Sequence, residues 1–92
     1  MYYVYIMTSP NNRVLYVGFT SDLPRRNSEH KALSVPGFTK KYHCIKLVYF
    51  EAYDDRDAML ACEKEIKKWR REKKNNLVVR MNPNWNDLSN AI

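Results

Sequence analysis

Runs in which apolar and polar positions alternate predict three strands in this chain. Tyr2 to Thr8 is an alternating run rich in aromatic and branched residues, and Val14 to Phe19 is a second one. Residues 9 to 12 read Ser-Pro-Asn-Asn, a turn-forming composition that predicts a hairpin between the two runs. Ile45 to Ala52 is the third predicted strand. We therefore expect a small β-sheet.

The first predicted helix follows the hairpin. Ser21 or Asp22 can cap its amino end, and Pro24 lies in its first turn, where a missing N–H is tolerated. The helical pattern continues to about Ala32. Residues 33 to 44 have no regular pattern, and we expect a loop there.

The second predicted helix is longer. It opens at Asp54 and Asp55, is rich in good helix formers and runs to about Arg71. A shorter helical piece is expected over Lys73 to Arg80. The predicted order is β-β-α-β-α, an α+β fold in which helices flank a small three-stranded antiparallel sheet. The length allows one domain, which we place over residues 1–92.

Side chains alternate between the two faces of a strand, so each face of the predicted hairpin has its own composition. The expected core face carries Val4, Ile6, Leu15, Val17 and Phe19. The opposite face presents the hydroxyls of Tyr3, Tyr5 and Tyr16, and Gly18 leaves space there for a neighbouring group. We therefore expect tyrosine hydroxyls from two paired strands to share the side of the sheet opposite the aliphatic core.

Each predicted helix adds a candidate functional side chain to this picture. Arg26 and His30 lie one turn apart on the first helix; an arginine fork suits a phosphate, and a histidine can hold a water or exchange a proton. The second helix has an apolar stripe formed by Ala58, Met59, Cys62, Ile66 and Trp69. Glu63 flanks this stripe, and a carboxylate in that position can serve as a metal ligand.

Charge and composition narrow the class of protein. The chain has 16 Lys and Arg against 10 Asp and Glu, a net charge of +6, which suits a polyanion partner such as nucleic acid. No apolar run approaches the length of a membrane span, and the start MYYVYIM lacks the features of a signal peptide. Cys44 and Cys62 stand in no metal-binding pattern, and we expect reduced thiols. These features predict a cytoplasmic protein, with a monomer as the default.

The chain resembles the GIY-YIG nuclease superfamily, particularly its small stand-alone bacterial members. The first motif stands here as Tyr3-Val4-Tyr5 and the second as Tyr16-Val17-Gly18. Residues 22 to 26 (DLPRR), together with His30, form the helical motif. Glu63 matches the acidic residue of the next helix, and Asn82 matches the late asparagine of the family. The one departure is Tyr3, which stands where the motif's name has glycine. The resemblance extends from Tyr2 to Leu88 and implies a GIY-YIG endonuclease-like fold.

The resemblance also implies a reaction, the metal-dependent hydrolysis of phosphodiester bonds. One Mg²⁺ or Mn²⁺ ion would be held by Glu63, and Arg26 would neutralise the phosphate as charge builds in the transition state. Tyr16 would act as general base or position the nucleophile, while Tyr5 and His30 would orient the water or Tyr16. An unperturbed tyrosine has a pKa near ~10, so a base role needs help from a neighbouring cation.

Nucleic acid, with DNA as the first expectation, is the implied partner. Arg25, Lys40, Lys41 and Asn82 are the residues expected to contact it. Phe38 and Tyr42 flank the two lysines and form with them either a strand-binding rim, where bases stack on rings, or a solvated loop. Catalytic domains of this superfamily are often joined to targeting domains. Here the domain would bind through its own basic loops, bind through a targeting protein, or act with low specificity.

Each of these residues also has an ordinary structural interpretation. Tyrosines favour strands, Arg26 can be solvated helix surface, and Glu63 can pair with Lys67 one turn later. Two alternatives to a nuclease therefore stay open. One is a non-catalytic nucleic-acid-binding module with the same fold, whose binding would be indifferent to chelators. The other is a protein-interaction domain, which would show no salt-dependent binding to nucleic acid.

Overall fold

Three strands and four α-helices, followed by one 3₁₀ turn, make up the computed structural model, which describes all 92 residues. The elements are β1 (Tyr2–Thr8), β2 (Leu15–Thr20), α1 (Leu23–Lys31), α2 (Phe38–Lys41), β3 (Lys46–Tyr53), α3 (Arg56–Lys68), α4 (Arg71–Met81) and a 3₁₀ helix (Leu88–Ala91). None of the helices combines the length and the apolarity needed to cross a membrane.

The sheet confirms the predicted architecture. Its order is β2-β1-β3, both pairs are antiparallel, and β1 is the central strand. The register shifts between Ile6 and Met7, where Ile6 opposes Tyr49 but Met7 opposes Leu47. Val48 is the extra residue of this bulge, so Val48 and Tyr49 belong to the same core cluster although they are neighbours in sequence.

Both faces of the sheet are covered. On one face Val4, Ile6 and Val17 pack with Met59 and Ile66 of α3, and with Val78 of α4. On the other face Tyr5, Met7 and Leu47 pack with Leu23 of α1 and with Cys44. The tyrosine face is therefore buried as well, because α1 lies over it and Tyr5 is only 1% exposed. Placing Phe19 in the core was wrong, since it is 44% exposed at the end of edge strand β2.

The helix boundaries differ from the prediction in two places. α2 lies within the segment predicted to be a loop. The predicted helix to Arg71 ends instead at Lys68, because Trp69 and Arg70 have extended backbone angles, with ψ of 151° and 157°. Trp69 packs against the core at this break, and α4 then starts at Arg71. Neither glycine nor proline marks this break in the sequence. A separate difference concerns Ala58, which was predicted in the apolar stripe of this helix but is exposed.

Side-chain caps fix the start of the two helices that carry the candidate site. The Asp22 carboxylate accepts a hydrogen bond from the Arg25 backbone N–H at 3.2 Å, and Pro24 occupies the first turn of α1. The Asp55 carboxylate caps α3 in the same way, accepting from the backbone N–H groups of Asp57 and Ala58. The caps set where each helix begins, and therefore which residues face the sheet.

Candidate active site

Tyr5 and His30 form the buried centre of the candidate site. Tyr5 lies in the middle of β1, and its hydroxyl is 2.8 Å from His30 Nε2. His30 is 1% exposed and lies in the last turn of α1, the helix that covers this face of the sheet. The two rings meet edge to face, with centroids 5.6 Å apart.

Tyr16 completes a group of three rings. Its ring centroid lies 6.3 Å from that of Tyr5 and 5.7 Å from that of His30. Gly18 makes this approach possible, because a Cβ atom at its position would lie 2.7 Å from the Tyr5 hydroxyl oxygen and 2.8 Å from a Tyr16 ring carbon. The glycine of the second motif therefore has a steric reason in this chain, because it leaves room for both tyrosine rings.

Replacing Gly18 with alanine is expected to destabilise the protein by about 1–3 kcal/mol, since the added methyl group overpacks a buried contact. The Tyr5 hydroxyl cannot move aside without losing its hydrogen bond to His30. Urea unfolding gives the free energy, and the NMR shift of the His30 ring reports the site. Gly37→Ala is the control: it meets no atom within 4 Å, although its φ of 99° adds local strain. Unchanged unfolding and an unmoved His30 signal in Gly18→Ala would contradict the packing account.

Arg26 brings positive charge to the edge of this centre. It lies one turn before His30 on α1, and its guanidinium offsets part of the rise that burial gives to the pKa of Tyr5. Its Nη1 also pairs with Glu29 at 3.2 Å. Arg25 pairs with the same carboxylate at 3.5 Å, but its side chain is 76% exposed. Both arginines line an open hollow of about 250 Å³ at the start of α1.

The protonation of these groups follows from their burial. Desolvation by burial raises the pKa of Tyr5 to about 12, and the nearby Arg26 guanidinium offsets only part of this rise, so Tyr5 is a neutral donor at pH 7. We therefore assign the Tyr5 O–H as the donor to His30 Nε2. His30 Nδ1 then carries the ring proton and donates to the Thr39 hydroxyl, 3.2 Å away. The two hydrogen bonds of the ring thus define the tautomer of His30.

Burial lowers the pKa of His30, and the nearby Arg26 charge lowers it further while Glu29 raises it. Between the folded and unfolded pKa values the unfolded chain binds more protons, so stability falls as the pH drops below the unfolded value of about 6.5. Between about pH 7.5 and about pH 5.5 the unfolding free energy of wild type is expected to fall. We expect the fall in His30→Gln to be smaller, by up to about 1 kcal/mol. Urea titrations at both values measure this, and equal losses in the two proteins would contradict a buried neutral His30.

Glu63 lies apart from the tyrosine and histidine side chains. It is on the buried face of α3 between Met59 and Ile66, which pack on the other face of the sheet, and α3 runs beside the edge strand β2 that carries Tyr16. No hydrogen bond joins Glu63 to Tyr5, Tyr16 or His30. Its Oε2 atom instead pairs with Lys67 Nζ at 2.5 Å, which is the ordinary interpretation of this residue.

The surroundings of Glu63 fit a metal ligand. The residue is only 4% exposed, and Lys67 is its one charged partner, so a single cationic group compensates the buried carboxylate. Lys67 is half exposed and can turn away into solvent when another cation binds. No three His, Cys, Asp or Glu side chains converge, so Glu63 would be the single protein carboxylate on the ion.

The remaining predicted contact residues have different placements. Lys40 and Lys41 are exposed on α2, and Lys41 Nζ lies over the Tyr42 ring, 5.3 Å from its centroid. Asn82 is buried and holds the chain's end: its amide donates to the carbonyl oxygens of Val48 and Asn86, and its Oδ1 accepts from the Asn86 N–H. A contact between Asn82 and nucleic acid would require these hydrogen bonds to break.

Two residues of α2 also lie at the site: Thr39, which was not expected from the sequence, and Phe38, which was expected only in a rim beside Lys40 and Lys41. Thr39 is 4% exposed and bonds His30, and Phe38 stacks on Tyr16 with centroids 6.2 Å apart. Both lie on α2, which was predicted to be a loop. No periodicity reveals a helix of four residues, so only the tertiary contacts place these side chains beside the tyrosines.

A model of the GIY-YIG catalytic domain matches residues 1–76 of the chain. This span contains Tyr5, Tyr16, Arg26, His30 and Glu63, and it extends from β1 into α4.

Similar whole proteins come from archaea and bacteria. The chain is 42% identical over 76 residues to a UPF0213 protein of Haloquadratum walsbyi, covering 83% of this chain and 84% of the relative. It is 35% identical to a UPF0213 protein of Natronomonas pharaonis, covering 85% and 91%. The solution NMR structure of a UPF0213 protein from Bacillus halodurans superposes with a TM-score of 0.60 at 27% identity, covering 95% of this chain and 93% of that one. The relatives thus share most of the chain's length.

Proposed function

Because this chain belongs to the GIY-YIG family, we propose that it is an endonuclease that hydrolyses phosphodiester bonds in nucleic acid, DNA above all, with one divalent metal ion. The observation that supports this proposal best is the meeting of Tyr5, Tyr16 and His30 above Gly18, with Arg26 at their edge. Nothing in the packing of a small core requires two tyrosines, a histidine and an arginine at one point.

Each side chain of the site has a role that its surroundings favour. Arg26 is partly exposed at an open hollow, and as a guanidinium fork it suits a phosphate whose negative charge grows in the transition state. Tyr16 is more accessible than Tyr5 and is the residue that can face the attacking water. Tyr5 is a buried, protonated donor held by His30, which suits positioning rather than proton abstraction.

Glu63 is the residue that would hold the metal, Mg²⁺ or Mn²⁺. The ion, when bound, would stabilise charge on the phosphate and lower the pKa of bound water. Lys67 keeps the carboxylate neutralised until then, and its exposed stem allows it to leave. Arg25, Lys40 and Lys41 are exposed cations around the site and are proposed to contact the backbone of the nucleic acid.

A cleavage panel tests the proposed function. Purified protein is incubated with labelled flaps, nicked duplexes, single strands and RNA, with Mn²⁺, with Mg²⁺ and with chelator, and Glu63→Ala serves as control. We expect cleavage of at least one form with metal, none with chelator and none by Glu63→Ala. Intact substrates throughout, at high protein and metal concentrations, would contradict an endonuclease.

The second candidate is a nucleic-acid-binding module that does not cleave. The observation that favours it is the Glu63–Lys67 ion pair, which already compensates the carboxylate without any metal. Such a module would bind nucleic acid with steep salt dependence, because counterions are released on binding. Its affinity would be the same with chelator and in Glu63→Ala, whereas the nuclease is expected to bind more tightly with metal.

A further inference from the structure

Three aromatic rings form a row that leads from the candidate active site to the solvent. Phe38 stacks on Tyr16 with ring planes 28° apart, and the Tyr42 ring centroid lies 4.7 Å from that of Phe38. Phe38 is 46% exposed and Tyr42 is 42% exposed. We call Tyr16, Phe38 and Tyr42 the aromatic row. Its inner end is the tyrosine that contacts His30, so any molecule on the row is adjacent to the reaction centre.

The row borders a second hollow, of about 400 Å³, that is strongly cationic. Its lining consists of Arg13, Val14, Leu15, Phe38, Tyr42, Arg71 and Lys74. No carboxylate lines it, whereas the hollow beside Arg26 contains Asp22 and Glu29. Neither Arg13 nor Lys74 forms a salt bridge, so both charges remain available to an anionic partner.

The segments around this hollow are held in place from within the protein. Thr39 ties α2 to His30 through the hydrogen bond to Nδ1. On the opposite wall Arg71 donates to the backbone carbonyl oxygens of Asn12 and Arg13, which fastens the β1–β2 turn to α4. The exposed rings are therefore held in position before a ligand binds, which reduces the conformational entropy lost on binding.

Exposed ring faces beside uncompensated cations match the chemistry of an unpaired nucleic-acid strand. Bases of a single strand can stack on aromatic rings while their phosphates meet lysine and arginine; in a duplex the base faces are already stacked on one another. We propose that the aromatic row and its cationic hollow bind a single-stranded segment of the substrate, with one base stacked on Phe38. This proposal rests on the proposed function, since it defines the substrate of the same site as nucleic acid with unpaired nucleotides next to the cleaved bond.

Binding without metal tests this inference separately from catalysis. Fluorescence anisotropy in chelator measures the affinity for a labelled single strand of about 12 nucleotides, for a duplex of the same length, and for a strand of abasic phosphates. Phe38→Ala is expected to weaken single-strand binding about 10-fold, the loss of one stacked base. Phe38→Tyr, which keeps a ring, is expected to bind within about 2-fold of wild type.

Phe19→Ala is the matched control, because Phe19 is equally exposed but lies at the other hollow. We expect it to leave single-strand affinity unchanged, and we expect Phe38→Ala to leave the weaker duplex and abasic-strand affinities unchanged. Thermal melts confirm that each variant is folded. Equal single-strand affinity of Phe38→Ala and wild type would overturn the inference, as would parallel losses for single strand, duplex and abasic strand. Because no metal is present, either result leaves the cleavage panel as an independent test of the nuclease.

Discussion

Replacing Glu63 with glutamine is expected to lower the rate of metal-dependent cleavage at least about 100-fold, because a bound metal ion contributes several kcal/mol of charge stabilisation. The amide keeps the size of the side chain but lacks the charge that holds a cation. The fold should survive, since Lys67 is half exposed and can move into solvent when its partner loses charge. Single-turnover cleavage at saturating Mn²⁺ measures the rate.

Glu65→Gln is the matched control for this prediction. Glu65 lies on the same helix two residues later, is exposed, and only accepts a 3.4 Å hydrogen bond from the Trp69 indole. We expect its rate to equal that of wild type. A Glu63→Gln protein that cleaves at the wild-type rate, or equal losses in both variants, would argue that Glu63 does not hold the metal.

Removing the Arg26 side chain is expected to lower the rate of the chemical step about 100- to 1000-fold, the typical loss when one preorganised donor to a developing oxyanion is deleted. The guanidinium lines the open hollow at the start of α1 and, although burial raises the pKa of Tyr5, it is the one cation of α1 that lowers it. Arg26→Ala should therefore lower the single-turnover rate at saturating substrate, while the dissociation constant for nucleic acid changes little.

Arg25→Ala gives the comparison, since Arg25 directly precedes Arg26 and pairs with the same Glu29 carboxylate. Its side chain is 76% exposed, so we expect weaker binding but an unchanged rate once substrate is saturating. If Arg25→Ala loses the cleavage rate and Arg26→Ala keeps it, then Arg26 is not the arginine at the reaction centre.

Local sequence patterns predicted most of the fold. Alternation in β1 and β2, the turn at residues 9 to 12, and the Asp22 and Asp55 caps each act over a few residues, and the structure has each of them. The failures depend on contacts between distant segments. The break at Trp69 is one, since its extended backbone lets the ring pack on the core, and α2 is another, since a four-residue helix depends on Thr39 meeting His30.

The candidate site divides in the same way. The spacing of Tyr5, Tyr16, Arg26 and His30 was sufficient to bring them together, because a hairpin and a helix over one face fix their relative positions. What the sequence could not indicate is burial. Strand alternation placed the tyrosine hydroxyls opposite the aliphatic core, but it did not show that α1 covers Tyr5 and leaves it a protonated donor. Nor could spacing show that Glu63 lies on the other face of the sheet with Lys67 as its partner.

The claim on which everything depends is that Arg26 of α1 and Glu63 of α3, two helices that pack on opposite faces of the sheet, act on the same phosphate. The most direct test is the single-turnover cleavage rate of the double variant Arg26→Ala/Glu63→Gln, compared with wild type and both single variants. Residues that act as one unit have strongly non-additive effects, so we expect the double variant to be about as slow as the slower single variant. A double variant whose loss equals the full product of the two single losses would contradict one shared reaction centre.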